Sequence, residues 1–552
     1  MILELLIDSS HLFKGENISP DIDLLKGWSK TTLLRHVSRI NYLIHPNGKK
    51  IHNINGCLDI WNKTTYSEKQ IATKILRNAL VENTIQKAEY FQKAVFFNRL
   101  TNLYIIKKIL VSNLYGEHDF VDKFGEEQLI NFLKFYSSCT TQILAHETAI
   151  TPGSLTDEEA YAFKNLPQYI YNQHANINLS FFDLVYLQFK ETLDSPEIST
   201  DFKDYFNSLG LQSTNFIKHY IGSIFHSFRN TSKPETIELN PLDNNYFEYK
   251  AVFDVLSNWD KKLNQHIFDF GSIKKFPFYK MSETEYLKLD HDFTIRKFQS
   301  TIYDDCFFDY LEPLAKEIKW YNGIRGQINE KIITQKLNSI FLRQRHIKIR
   351  FGNNLKYDSN GKNLGFEIAD YYARKASKVF IAEIKSSSLT VAQLSGKAED
   401  ILSKSCNDLT EFLKKFGINQ LIEHVKRIVE KPEYFEKVIP GPLKIYPCII
   451  ISEKGLNSPF IINILRDKFD ILVKENIGNS NHIIKPLCVI QDSDIFRMEA
   501  SRIGRFIWYI LNKHGIDKKY DVLGGTLEMR LNRLGIQEIK RKFKLAFEAG
   551  YK

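Results

Sequence analysis

In the stretch FEIADYYARKASKVFIAEIKSSS, residues 366–388, Asp370 lies in one apolar run and Glu383 and Lys385 lie in the next. Both runs otherwise have the composition of buried strands. Glu383 and Lys385 are two residues apart, so on a strand they project to one face. With Lys375–Lys378 as the turn of a hairpin, Arg374 pairs with Val379 and Asp370 falls opposite Glu383. Facing side chains on one side of a sheet are about 5 Å apart. Two carboxylates at that distance repel, and burial among Phe, Ile and Val adds a desolvation cost. Positive charge between them removes the conflict. Lys385 supplies part of it, and a divalent cation that prefers hard oxygen ligands, Mg²⁺ or Mn²⁺, would supply the rest.

Such a trio needs a sheet to hold it, and the surrounding sequence predicts one. GIRGQINEKIITQKLNSIF has helical periodicity, and HIKIRF follows as a strand. Asn360-Gly361 marks a turn. LGFEIADYYAR and VFIAEIKSSS are then the two strands around the tight turn. Residues 390–430 are expected to be helical, LKIYPCIIIS and KPLCVIQDSD to be two further strands, and the end from Arg497 on to be basic helix. This order predicts a mixed sheet flanked by helices, an α/β domain. Upstream, residues 65–230 repeat apolar residues every three or four positions, and Thr156 with Glu159 forms a capping-box pattern. The first 60 residues read as mixed, with IHPNGKKIHNINGCLDIW and its two Asn-Gly steps expected to make turns between short strands. Residues 276–290 read as a hairpin with Ser282–Glu285 at its tip, followed by helices near 293–303 and 307–319. The expected division is a mainly helical N-terminal domain (1–230), a connecting region (231–314) and the α/β domain with a basic helical C-terminus (315–552). The fold class is therefore multidomain, α and α/β.

Asp370, then Glu383-Ile384-Lys385 on the adjoining strand, resembles the PD-(D/E)XK nuclease superfamily, with its restriction-endonuclease-like fold and central mixed sheet. The resemblance covers roughly 315–510. It includes a helix before the meander with Glu330 four residues after Gly326, a helix at Val391–Leu402 after the Glu-x-Lys strand, and the later apolar strands. Residue 369 is Ala where the family usually has Pro. No clear glutamine motif of the exonuclease-like branch is present, though Gln393 and Gln420 are candidates for it. The resemblance implies that Asp370, Glu383 and the main-chain carbonyl of Ile384 bind the metal, with Glu330 completing the site directly or through water. It implies that Lys385 orients and helps deprotonate the attacking water, or stabilises charge on the phosphate. Phosphodiester hydrolysis needs an activated water and charge neutralisation in its transition state, and a metal provides both. Glu367, three residues from Asp370, is expected on the other face as a surface residue. Ser386–Ser388 are expected to be a polar strand end.

Charge points the same way. Residues 1–320 hold 35 Lys+Arg against 40 Asp+Glu, and residues 321–552 hold 40 against 25, so the whole net charge of +10 comes from the last two-fifths of the chain. A basic domain beside a mildly acidic one suits a polyanion partner. Arg530, Arg533, Lys540, Arg541, Lys542 and Lys544 are candidates for phosphate contacts in the terminal helices, where a solvated helix face explains them equally well. Six single cysteines with no CxxC argue for reduced thiols in a cytosolic protein. No apolar run approaches the ~20 residues of a membrane span. HETAI at 146–150 lacks the second His of a zinc protease, and no GxxxxGK[ST] loop occurs. The expectation is a cytoplasmic, Mg²⁺-dependent nuclease acting on double-stranded DNA, with a role in restriction or antiviral defence implied by the layout. Its helical N-terminal part would sense a trigger or mediate homo-oligomer or partner contacts. The rival expectations are a nuclease-like scaffold that binds nucleic acid without cutting, an RNA-cleaving effector, and an interaction subunit worked by its helical half.

Overall fold

The computed structural model describes residues 5–6, 12–13, 16–44, 94–114, 126–148, 179–211, 222–223, 235–259, 267, 269–297, 301–386, 416–437, 441–452, 459–478, 480–500 and 507–514. The capping box at Thr156, the helix at Val391–Leu402 with Gln393, Ser387 and Ser388, and the basic residues Arg530, Arg533, Lys540, Arg541, Lys542 and Lys544 lie outside these. Among the described residues no helix is long and apolar enough to cross a membrane.

The first core is helical. It packs α1 (Lys30–Ile44), α2 (Arg99–Val111) and α3 (Glu126–Thr148), and Leu287, Leu289 and Phe293 close it from far along the chain. At its centre lies a charge. Arg99 is 2% exposed and donates to both oxygens of Asp290, at 2.9 and 2.6 Å, with Asp292 at 3.1 Å. Asp290 also caps the short helix His291–Arg296 by accepting the Phe293 N–H. The second core joins α4 (Leu179–Asp194) and α5 (Ser199–Ser208) to β1 (Thr236–Glu238), α6 (Tyr246–Leu256), β2 (Phe278–Lys280) and β3 (Glu285–Lys288). The hairpin expected at 276–290 is present, with β2 and β3 antiparallel and β1 on the other edge of β3. The cores cut across the segment boundary expected at residue 230, because α4 and α5 pack with elements that follow it. The single helix expected over 307–319 is broken. Residues 306–311 are π-helical, a 3₁₀ turn with Pro313 follows, and Ala315, in the left-handed region at φ 58°, ends the run.

Next comes α7 (Ile318–Phe341), a 24-residue helix that belongs to two cores. Its first turns put Tyr321 and Ile324 into the second core, and its later turns put Ile332, Ile333, Leu337, Ile340 and Phe341 against the main sheet. That sheet starts as an antiparallel meander of β4 (Lys348–Phe351), β5 (Tyr371–Lys375) and β6 (Lys378–Lys385). The expected register holds, with Arg374 opposite Val379 and Tyr371 opposite Ala382. After α8 (Ile418–Glu430), β7 (Lys444–Ile451) lies parallel to β6. Following α9 (Pro459–Asn476), β8 (Ile483–Ile484) and β9 (Cys488–Gln491) run in succession along the other edge of β7. Helices α10 (Asp492–Ala500) and α11 (Ile507–His514) complete the described chain. The side chains of β6 alternate between the faces. Val379 and Ile381 meet α8 and α9, while Phe380, Ala382 and Ile384 meet α7, α10 and α11. This is a mixed sheet between two helical layers, as the α/β expectation requires.

One departure matters for the site. The strand expected over LGFEIADYYAR is only five residues long, Tyr371–Lys375. Before it, Leu364 and Ile368 donate their N–H groups back to Lys356 and Leu355 instead of to a neighbouring strand.

The far edge of the meander is fastened by a buried ion pair. Glu436 accepts from Arg374 through both oxygens, from Lys348 at 2.7 Å and from the Tyr372 hydroxyl at 3.0 Å. Burial would raise its carboxyl, but the Arg374 and Lys348 contacts outweigh this and hold it below the usual range. Glu436→Gln leaves Arg374 buried without a counter-charge, and a loss of about 3–5 kcal/mol is expected. The folded value lies below the unfolded one of about 4.3, so this stability is complete above that pH and is lost as pH falls through the folded value. Urea titrations of both proteins should therefore show a gap at neutral pH that narrows in acid. A gap that does not change with pH would contradict this assignment.

Candidate functional site

Glu383 is the most deeply set charge of the trio, at 1% exposure. It lies on the face of β6 that otherwise carries Val379 and Ile381, so its carboxylate must be answered by polar groups among apolar ones. Lys385, two residues on and on the same face, donates to Oε1 at 2.5 Å. His424 places Nε2 2.7 Å from Oε2. An ionised carboxylate only accepts, so the His424 Nε2 carries the proton. Burial would push the Glu383 carboxyl up, but the His424 hydrogen bond and the Lys385 charge hold it below its ordinary value.

Asp370 sits one residue before the first β5–β6 pair, and extending the register sets it opposite Glu383. Its Oδ2 accepts the backbone N–H of Ile384 at 2.7 Å. The group of Ile384 that the structure brings to Asp370 is thus the N–H. Burial and the Glu383 charge push the Asp370 carboxyl up to about 8. The two carboxyls are driven apart in acidity, the ordinary outcome when like charges share a low-dielectric site.

Glu330, on α7, shares this field. Its carboxyl is raised by burial and by the charges of Glu367 and Glu383. Glu367 also belongs to it, contrary to the expectation that it faces away as a surface residue. It is half-buried, and its carboxyl is raised by burial and by Glu383, with Lys356 opposing. The reason is the shortened strand. Alternation of faces applies only where the backbone is extended, and residues 364–370 are not in a strand. The residue beside Glu330 is a further link to the sheet. Asn329 donates at 2.9 Å to the hydroxyls of both Ser386 and Ser452, which follow directly on β6 and β7. Ser386 is therefore a tie between strand end and helix.

Helix α8 supplies what sequence reasoning missed. It buries Ile418, Leu421, Ile422, Val425 and Ile428 against the sheet. One turn apart on the same helix stand Gln420, whose Oε1 accepts from Lys385 at 2.7 Å, and His424. Gln420 was a candidate in the sequence; His424 was not. The available signal was their i, i+4 spacing, which puts both on one helical face. Gly417 precedes the helix at φ +69°. A Cβ there would stand 2.4 Å from Lys385 Cε and 2.8 Å from Glu383 Cγ, so the backbone of this turn closes directly over these two side chains.

The donors gathered here are carboxylate oxygens, hard ligands of the kind Mg²⁺ and Mn²⁺ take. Burial first, and neighbouring carboxylate charge after it, hold Asp370, Glu330 and Glu367 above the usual range. In donor type the residues fit a divalent cation. Among the described residues no group of three or more His, Cys, Asp or Glu is close enough together to hold a metal ion, and both Glu383 oxygens are engaged by Lys385 and His424.

Gly417→Ala is expected to cost about 1–2 kcal/mol for the left-handed backbone alone. Displacement of Lys385 or Glu383 adds to this. A chemical denaturation midpoint equal to that of wild type would mean that the turn does not press on the site. Comparison of the chain with protein-family models, with curated proteins and with solved structures gives no significant match.

Proposed function

We propose that the chain is a metal-dependent nuclease of PD-(D/E)XK type, with a restriction-endonuclease-like domain that hydrolyses phosphodiester bonds in DNA. The observation that carries this reading is that Asp370, one residue before β5, falls opposite Glu383 of β6 when the β5–β6 register is extended, with Lys385 on the Glu383 carboxylate. The order of elements supports it as well: a helix bearing Glu330, an antiparallel meander, a helix over the site, then a parallel strand.

In this reading Asp370 and Glu383 hold the cation, with Glu330 beside them. The cation, when bound, supplies Lewis-acid stabilisation of the phosphate and a more acidic water. The rest falls to the chain's own residues. Lys385 turns from Glu383 to the phosphate or to the attacking water, with its ammonium kept in place by Gln420. His424 fixes the Glu383 carboxylate in one rotamer, so that the oxygen facing Lys385 points into the site. The Ile384 N–H does the same for Asp370. Burial on the strand face excludes bulk water and strengthens each of these contacts.

A second reading, nucleic-acid binding without cleavage, is favoured by one observation. Both Glu383 oxygens already have partners in His424 and Lys385, and that ion pair competes with metal binding. Incubation of plasmid, linear duplex and single-stranded DNA with Mg²⁺, Mn²⁺ or EDTA separates the two. The nuclease reading expects metal-dependent cuts that Glu383→Ala and Lys385→Ala reduce by at least about 100-fold. Intact DNA at high Mn²⁺ with retained DNA binding would favour the second reading, and cleavage confined to an RNA substrate would remove DNA from the first.

A further inference from the structure

Beyond the carboxylates, the same edge of the molecule carries a run of rings and cations. The loop between β4 and β5 exposes Tyr357 (42%) and Phe366 (41%). The Arg427 guanidinium lies 4.6 Å from the centre of the Phe366 ring, and the Phe366 and Tyr434 rings are 6.3 Å apart. Lys431 lies 5.5 Å over Tyr434. The run begins at the carboxylate cluster, because Arg427 also donates to the Glu367 carbonyl at 3.3 Å and stands 3.5 Å from His424 Nδ1.

The loop is held in this shape. Asp358 Oδ1 accepts the N–H groups of Asn360 and Lys362, each at 2.8 Å. The Ser359 backbone N–H donates to the Glu433 carbonyl, and the Arg350 guanidinium donates to the Tyr434 carbonyl at 2.6 Å. The rings are thus presented on a fixed surface, half in water, next to positive charge. Large half-exposed rings beside cations lose little freedom on binding and suit flat, anionic partners.

We propose that Tyr357, Phe366 and Tyr434, with Arg427 and Lys431, form a platform that binds single-stranded DNA beside the carboxylate cluster. Unpaired bases stack on the rings, and the adjoining phosphates meet the two cations. A duplex cannot use the surface in this way, because its base faces are already stacked. The active site then receives an unpaired strand: a single strand, a flap or a frayed end. The choice of DNA rests on the nuclease reading. The platform itself rests on the geometry of Phe366, Tyr434, Arg427 and Lys431 and on the exposure of Tyr357 in the same loop.

The test is fluorescence anisotropy of the full chain with a labelled oligothymidylate, in EDTA so that nothing is cut. Phe366→Ala and Tyr357→Ala are each expected to weaken binding about ten-fold, and Phe366→Trp to retain it. Lys431→Gln should reduce the dependence of affinity on salt, whereas the ring variants should not. Unchanged affinity in both alanine variants would overturn the platform. So would unlabelled duplex competing as well as the single strand, whereas an oligouridylate binding far more tightly than oligothymidylate would overturn the choice of DNA. Cleavage plays no part in this measurement. A chain that binds through these rings but never cuts refutes the nuclease reading alone, and a chain that cuts but ignores Phe366→Ala refutes the platform alone.

Discussion

A buried negative charge organises this part of the molecule. Glu383 stands on a strand whose same-face neighbours, Val379 and Ile381, are fully buried, and its carboxylate persists there because Lys385 and His424 reach it from different elements. Removing an ion from water costs several kcal/mol even after relaxation, so both partners must be placed well. Lys385 is placed by the two-residue period of the strand. His424 is placed by α8, whose apolar stripe faces the sheet and brings one polar residue over the carboxylate. Gly417 lets the chain enter that helix close enough for the contact. The amphipathicity of α8, the glycine before it and the charge on β6 therefore express one requirement.

The two halves of the site were unequally legible in the sequence. Asp370, Glu383 and Lys385 could be read because a hairpin with a tight turn fixes its own register, and the structure keeps the pairing of Arg374 with Val379. Glu367 was misassigned because a two-residue period was extended into a segment that bonds back to Leu355 and Lys356. Nothing in the letters LGFEIAD shows where extended backbone begins. His424 was missed for a different reason. Its place is set by tertiary packing of a helix some 40 positions from Glu383, where local pattern gives the face and not the neighbour. The cores likewise ignored boundaries drawn from local rhythm. The shift from helical to mixed pattern after residue 320 is real, but α7 spans it.

The sheet has two unlike sides. One is covered by α7, α10 and α11, which pack over Phe380, Ala382 and Ile384. The other, under α8, begins apolar and ends in Glu383 and Lys385 at the carboxyl end of β6. Beyond that end, Ser386 and Ser452 meet Asn329, which fixes the helix carrying Glu330 to the strands carrying the other carboxylates. The polar end of an otherwise dry sheet is where a charged ligand can be met without exposing the core.

Helix α7 has one more consequence. Twenty-four residues at 1.5 Å each make a rod about 36 Å long, rooted at one end among Tyr303, Phe307 and Val252 and at the other beneath the sheet, where Leu184 of α4 also packs. The preceding unit is therefore not joined to the sheet as a bead on a string. Cutting the gene before residue 318 would leave Tyr321, Ile324 and the Leu184 contact surface in water. The module that carries the carboxylates thus shares this helix with its neighbour, and a replacement of sequence at this point has to satisfy the packing at both ends of the helix at once.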